Sequence, residues 1–293
     1  METGFHYGMT DAQYRASDGV SKSDLDRIAP ENGGSPAHYK AATAQPTSPT
    51  PAMMLGTALH CAILEPQRFA DEYVNTGAAD KRAKAYKDAA EAIGERALTA
   101  KDAEWLDGMR SAVWDGDDAN AAAARKLLTL EGDTEVSAYY RTAHGLLMRC
   151  RYDLLTAEVD GRVFAADVKK TKDASPREFA KSVWRYRYHV QAAYYSDIYY
   201  GITGKALSSY TIIAIEEAPP HAVQVYAISD EDMALGRELY ERDLLMLKRC
   251  VEADDWPLTM PGAPSAYNAA PSVLNLEPWM RERTESFLTT EDE

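Results

Sequence analysis

The sequence predicts an α/β protein in which a helical N-terminal part leads into a mixed sheet flanked by helices. Three observations predict it. Capped stretches rich in Ala, Lys, Glu and Leu fill the chain up to position 132. From 133 onward, short runs of β-branched and aromatic residues alternate with turn-forming residues. Segments of helical period then interrupt and close that series, the order that builds a sheet covered by helices.

Taken in order, Ser21 precedes KSDLDRIA with Asp24 three residues on, a variant of the capping box, and SPAHYKAAT places Pro36 at a helix start. Pro46, Pro49 and Pro51 mark a linker. The run MMLGTALHCAIL (53–64) is apolar and of helical length, and Pro66 stops it. Three more helices are expected around 80–97, 99–114 and 117–130. EVSAYYRTA, LLMRCRYDLL and RVFAADVKKT, separated by AHG and EVDG, read as an antiparallel meander. Next comes one helix: Ser175 is its N-cap, Pro176 its first residue, and Phe179, Val183, Tyr186, Val190 and Tyr194 recur at spacings of four or three until Gly201 closes it. SSYTIIAIEE and AVQVYAIS read as strands around a Pro-Pro turn, and 230–252 as a last amphipathic helix with Asp230 and Glu231 near its start. One domain therefore spans 1–265, with a helical part at 1–132 and a sheet-bearing core at 133–252, and 266–293 is an irregular tail with disordered acidic residues at its end.

With 293 residues, 45% hydrophobic and 27% charged, the chain can bury one large core or two modest ones. No run approaches the roughly 18 apolar residues that span a bilayer, and METGFHYGMTDAQYR lacks the order of a signal peptide, so the cytoplasm is the expected location. Cys61, Cys150 and Cys250 are isolated and odd in number, which excludes a disulfide framework, a CxxC zinc site and a four-thiolate cluster. A net charge of −14 excludes a protein that coats nucleic acid indiscriminately. Between positions 141 and 191, however, 11 basic residues meet 6 acidic ones, a local +5 against −19 elsewhere. That is the pattern of a basic footprint on a body that repels polyanions.

The chemistry lies in that footprint. Residues two apart in a strand share a face, so Asp167 and Lys169 present a carboxylate and an ammonium together. Asp153, 14 residues earlier, ends the preceding strand and comes to the same end of the sheet if the two strands pair. Two neighbouring carboxylates need a cation, and with the Val168 carbonyl between them they suit Mg²⁺. Lys169 would orient the attacking water, or help deprotonate it if its pKa is depressed, and neutralise charge at phosphorus. Gln191 and Tyr195, four apart on the next helix, share one face. Lys181, Arg185 and Tyr188 run along a neighbouring stripe within reach of phosphate or an end base, and Arg151 is a further candidate for contacting DNA.

In order, GTALH (56–60), RCRYD (149–153), DVKKT (167–171) and QAAYY (191–195) resemble the PDDEXK nuclease superfamily, within it the RecB-like nucleases that add a helical His and a QxxxY motif. The likeness to RecE-like exonucleases (exonuclease VIII) covers most of the chain, from SKSDLDRIA and SPAHYK through GTALHCAILEP to ASPREFAKSVWRYRYHVQAAYY. The resemblance implies a restriction-endonuclease-like core in which His60, Asp153 and Asp167 are metal ligands, Lys169 is the catalytic lysine and Glu135 a supporting acid. It places Gln191 and Tyr195 beside the centre, where they help position DNA. Gly56 and Ala58 would let the His60 helix approach the sheet closely. The implied activity is Mg²⁺-dependent 5′→3′ exonucleolysis of double-stranded DNA ends, with Mn²⁺ able to substitute. Its product, a 3′ single-stranded tail, would pass to a RecT-like single-strand annealing protein, and the enzyme would be a homo-oligomer, a tetrameric ring. Two departures stand out: Lys170 occupies a position where relatives often carry Thr, and the acid before the lysine is Asp167 rather than Glu. The competing expectations are a structure-specific or restriction-like endonuclease on the same core, and a DNA-end-binding module that has lost turnover.

Overall fold

The computed structural model describes residues 1–44, 50–259, 262, 264–268, 270, 271, 273 and 275–288. Pro46 and Pro49 of the expected linker, and Glu291, Asp292 and Glu293 of the expected disordered end, lie outside the described residues. The chain opens with β1 (Gly4–His6) and α1 (Asp11–Ala16), both too short to announce themselves by periodicity. The predicted capping box then forms: Ser21 accepts from Asp24 N–H and Asp24 accepts from Ser21 N–H, starting α2 (Lys22–Ile28). Ser35 and Pro36 start α3 (Pro36–Thr43) as expected. Pro51 does not belong to a linker. With Thr50 as N-cap it is the first residue of α4 (Pro51–Leu64), a position where its missing N–H costs nothing. Pro66 stops α4 and also starts α5 (Pro66–Glu72). The strands β2 (Val74–Asn75) and β3 (Ala97–Leu98) form a small parallel pair. The helices α6 (Lys84–Ile93), α7 (Ala100–Trp114) and α8 (Ala119–Leu128) fill the three predicted stretches.

The predicted meander follows as β4 (Gly132–Arg141), β5 (Leu147–Thr156) and β6 (Phe164–Thr171). The helix expected over 175–201 is two helices, α9 (Pro176–Arg185) and α10 (Tyr188–Thr203), parted by Arg187 in a left-handed conformation (φ 53°). Nor does Gly201 close it: Gly204, at φ 70°, is the left-handed cap, and Gly201 lies inside α10 where the Tyr140 ring leaves no room for a Cβ. Ser175 makes no side-chain cap hydrogen bond. After this crossover β7 (Ser209–Glu216) runs parallel to β6, and β8 (Val223–Ala227) returns antiparallel beyond the Pro219–Pro220 turn. The long helix α11 (Asp230–Ala253) occupies the predicted segment. It is not the last helix, because α12 (Pro278–Leu288) forms within the tail expected to be irregular.

The main sheet has the order β1-β4-β5-β6-β7-β8, with β6–β7 its only parallel strand pair among the described residues. One face packs through Val136, Cys150 and Tyr152 onto α2, α10 and α11, with Leu25, Val190, Tyr194 and Leu247 in the layer. The other packs through Leu154, Ala166, Val168 and Ile213 onto α4 and α7, with Leu59, Ile63 and Met109. This is the predicted mixed sheet flanked by helices. Among the described residues no helix is long and apolar enough to cross a membrane.

Candidate active site

The sheet parts at one place. β6 pairs with β7 along all eight residues, but with β5 only at Leu154↔Ala166 and Leu155↔Ala165. One step beyond that contact the register sets Asp153 opposite Asp167, and the β4–β5 register sets Glu135 opposite Asp153. Three acids therefore stand in a row across three adjacent strands. Asp153 is not the end of its strand, as expected, but an interior residue, and it ends the pairing: its Oδ2 accepts from Val168 N–H at 2.8 Å, taking the place of a ladder partner. Glu135 holds a left-handed backbone (φ 54°) at the same row, the kind of strained non-glycine conformation that clusters at functional sites.

Side chains reach the parting from both faces. From α4, His60 Nε2 lies 3.0 Å from the Val168 carbonyl. A carbonyl oxygen only accepts, so Nε2 carries the hydrogen, and Nδ1 is left facing Asp153 Oδ2 at 3.4 Å and Glu135 Oε1 at 4.0 Å. Ala58 is buried under this helix, but open space surrounds Gly56, so only one of the two small residues serves a close approach. From α10, Gln191 Nε2 donates to Asp167 Oδ1 at 2.6 Å and lies 2.9 Å from the Tyr210 hydroxyl. Asp167 Oδ2 lies 2.6 Å from Lys169 Nζ.

Electrostatics follow from this crowding. Burial, helped by the Asp167 charge, pushes the Asp153 carboxyl up to about 7 against the opposing pull of His60 and Lys169. Burial alone would lower the Lys169 pKa, but the Asp167 and Asp153 carboxylates outweigh it and hold the ammonium above its ordinary value. The Lys169 ammonium is therefore suited to orienting water and neutralising phosphate, and the depressed pKa that deprotonating water would require is not supported by its surroundings.

His60, Glu135 and Asp153 place one ligand atom each within 4.8 Å of one another. An imidazole nitrogen and two carboxylates aimed at one space need a proton or a cation between them, and the second ring nitrogen bonded to a carbonyl is the usual support of a metal-binding histidine. The donor set fits a divalent cation. Asp167 is adjacent, with both oxygens engaged by Gln191 and Lys169, and the Val168 carbonyl is engaged by His60.

The remaining candidates divide. Arg151 Nε donates to Glu135 Oε2 at 2.5 Å and steadies that acid. Gln191 is buried and holds Asp167, so its reach is to a carboxylate. The Tyr195 ring packs edge-on against Tyr152 and Tyr210 while lining the cleft. Tyr188 lies under the Lys169 ammonium, 5.2 Å from Nζ to ring centre. Lys181 is exposed and paired with Glu178 at 2.6 Å. Arg185 lines the cleft mouth without reaching the acids. Sequence reasoning missed Tyr210, which no local signal marks. It also missed Lys22, buried in the SKSDLDR segment, which donates to Asp26 at 2.7 Å and to the Tyr186 carbonyl at 2.5 Å.

A carboxylate row and a charged lysine at the parting of a mixed sheet, sandwiched by helices, define a PDDEXK-like protein. The chain belongs to the family described as a PDDEXK-like domain of unknown function (DUF3799), which matches residues 21–263. Its fold is similar to the crystal structure of a protein from Eubacterium rectale described as a "Putative exonuclease", with a TM-score of 0.60 at 13% identity over 98% of this chain and 100% of that one. The structure of SSO0001 matches over 49% of this chain and 67% of its own, at 14% identity and a TM-score of 0.28. No curated protein matches the sequence.

Proposed function

We propose that the protein is a Mg²⁺-dependent nuclease that degrades double-stranded DNA from its ends in the 5′→3′ direction, with Mn²⁺ able to substitute. The observation that carries the nuclease reading is the convergence of His60, Glu135, Asp153, Asp167 and Lys169 where β5 and β6 part. A bound divalent cation would supply Lewis acidity to the scissile phosphate and favour ionisation of a nearby water. His60, Glu135 and Asp153 would hold it, with Asp167 steadied beside them by Gln191. The Lys169 ammonium would orient the attacking water and offset charge developing on phosphate. The exonuclease polarity, the 3′ tail, a RecT-like annealing partner and a tetrameric ring of RecE-like type rest on the sequence resemblance. A ring would let an acidic chain keep hold of DNA by turning its basic segment inward.

A linear duplex labelled at either end, beside the unlabelled covalently closed circle of the same sequence, tests the reading. Mg²⁺-dependent loss of the 5′ label from the linear form, with the circle intact, is the expected result. Equal cleavage of the circle would support the endonuclease alternative instead.

A further inference from the structure

α9 and α10 fail to merge because Arg187 is left-handed, and the break has a specific product. In an unbroken helix, residues two apart point about 200° away from each other, so Tyr186 and Tyr188 could not touch. Across the break their rings stack, 5.7 Å between centres and 28° between planes. The pile extends both ways. Outward, the Arg185 guanidinium lies 5.9 Å from the Tyr186 ring, and inward the Tyr188 ring lies 5.2 Å from Lys169 Nζ. A ladder of flat and charged groups thus runs from solvent to Lys169.

The conformation is held from behind. Arg187 is 1% exposed, and its guanidinium meets Asp243 at 2.6 Å, Asp26 at 3.0 Å and Glu31 at 3.1 Å, while Lys22 grips the Tyr186 carbonyl. Tyr186 itself is 51% exposed, and Trp184 beside it is 72% exposed. Large aromatic side chains left this exposed next to a cleft mark a binding surface.

The ladder also divides the cleft. Arg185, Tyr186, Tyr188 and Lys169 line two cavities at once. One, of about 890 Å³, contains Asp153, Asp167, Arg149 and Arg151. The other, of about 580 Å³, contains Lys170, Lys172 and Lys181 and reaches the candidate metal site at His60. Each lining has a small excess of basic over acidic side chains, and Tyr186 stands half-exposed on the ridge between them. A base has a π-face whatever its identity, so such a ridge can take any terminal base pair.

Resting on the nuclease reading above, we infer that Tyr186, backed by Tyr188, parts the strands of a duplex end. The strand to be cut enters the lobe with Asp153 and Asp167, and its complement passes along Lys170, Lys172 and Lys181. Tyr186 acts on the substrate's stacking and takes no part in hydrolysis.

A blunt duplex with 2-aminopurine at its terminal pair, bound in Ca²⁺ in place of Mg²⁺, reports the parting as a fluorescence rise, while anisotropy reports binding. The wild type and Tyr186→Trp should give the rise, and Tyr186→Ala should bind without it. In Mg²⁺, Tyr186→Ala should lose about tenfold in nucleotide release from blunt ends and markedly less from forked ends whose terminal pairs are already open. A wild type that binds with no rise, or a Tyr186→Ala variant that matches wild type in both assays, overturns the inference and leaves the nuclease reading standing. No release by the wild type from any DNA overturns both.

Discussion

The two sides of β6 differ in one respect, and the difference separates structure from chemistry. Toward β7 the strand is zipped along its whole length, with Ala166 and Val168 packed beside Ile213 against α4 and α7. Toward β5 it is paired at two positions and then open, and every acid of the candidate site lies at the opening. A closed ladder satisfies its own backbone groups. An open one leaves Val168 N–H to Asp153 and the Val168 carbonyl to His60, so the backbone that would have bonded a neighbouring strand instead fixes two candidate ligands. Side chains on the zipped side should therefore matter for stability, and those on the open side for turnover.

Adjacent lysines give the largest contrast. Lys169→Ala should lower nucleotide release about 10³-fold. Lys170→Ala, one residue on and paired with Glu217, should lower it less than about tenfold, since it loses only a partly exposed ion pair. Equal losses in steady-state assays would mean that the site is not confined to the residues around Asp167. On the zipped side, Ile213→Ala removes a fully buried side chain and should cost about 3 kcal/mol of stability, seen in chemical denaturation, with release per folded molecule unchanged. Gln191→Leu should keep the fold and reduce release by roughly 10- to 100-fold, because Asp167 loses the donor that holds it. A value near wild type would remove Gln191 from the site.

The smallest expected effect is in pH dependence without metal. Asp153 titrates near 7 in the fold against 3.8 for the ordinary group, so the folded state holds its proton through that window. The resulting contribution favours folding at low pH and is lost as pH rises through about 7. Asp153→Asn cannot ionise, so in EDTA its melting temperature should pull ahead of wild type as pH rises from 5 to 8, by a few degrees. A gap that stays constant across this range would mean that burial does not strain the carboxylate.

Much of this division was legible in the sequence. The Asp167–Lys169 spacing, the meander and the Ser21 cap are local, and local chemistry decides them. The break at Arg187 was not legible, because Phe179, Val183, Tyr186, Val190 and Tyr194 keep a helical period straight through it. Its cause is tertiary: Asp26 from α2, Asp243 from α11 and Glu31 between α2 and α3 converge on one guanidinium. Glu135 was visible as an acid in a strand, but its place opposite Asp153 depends on a register that only the folded sheet fixes. The short strand β1 lacked the length over which periodicity speaks, and α12, at 11 residues, was hidden by the Pro-rich segment before it. PDDEXK-like membership, implied by four ordered motifs, is borne out by the family match across 21–263.

The most direct test of the central claim is acid-soluble nucleotide release from a linear duplex, with Mg²⁺ and with EDTA, by wild type beside Asp153→Asn and Asp167→Asn. Metal-dependent release by the wild type, lost in both variants while their circular dichroism is unchanged, is the predicted result. Release that persists in EDTA or in both variants would place the chemistry somewhere other than the opening between β5 and β6.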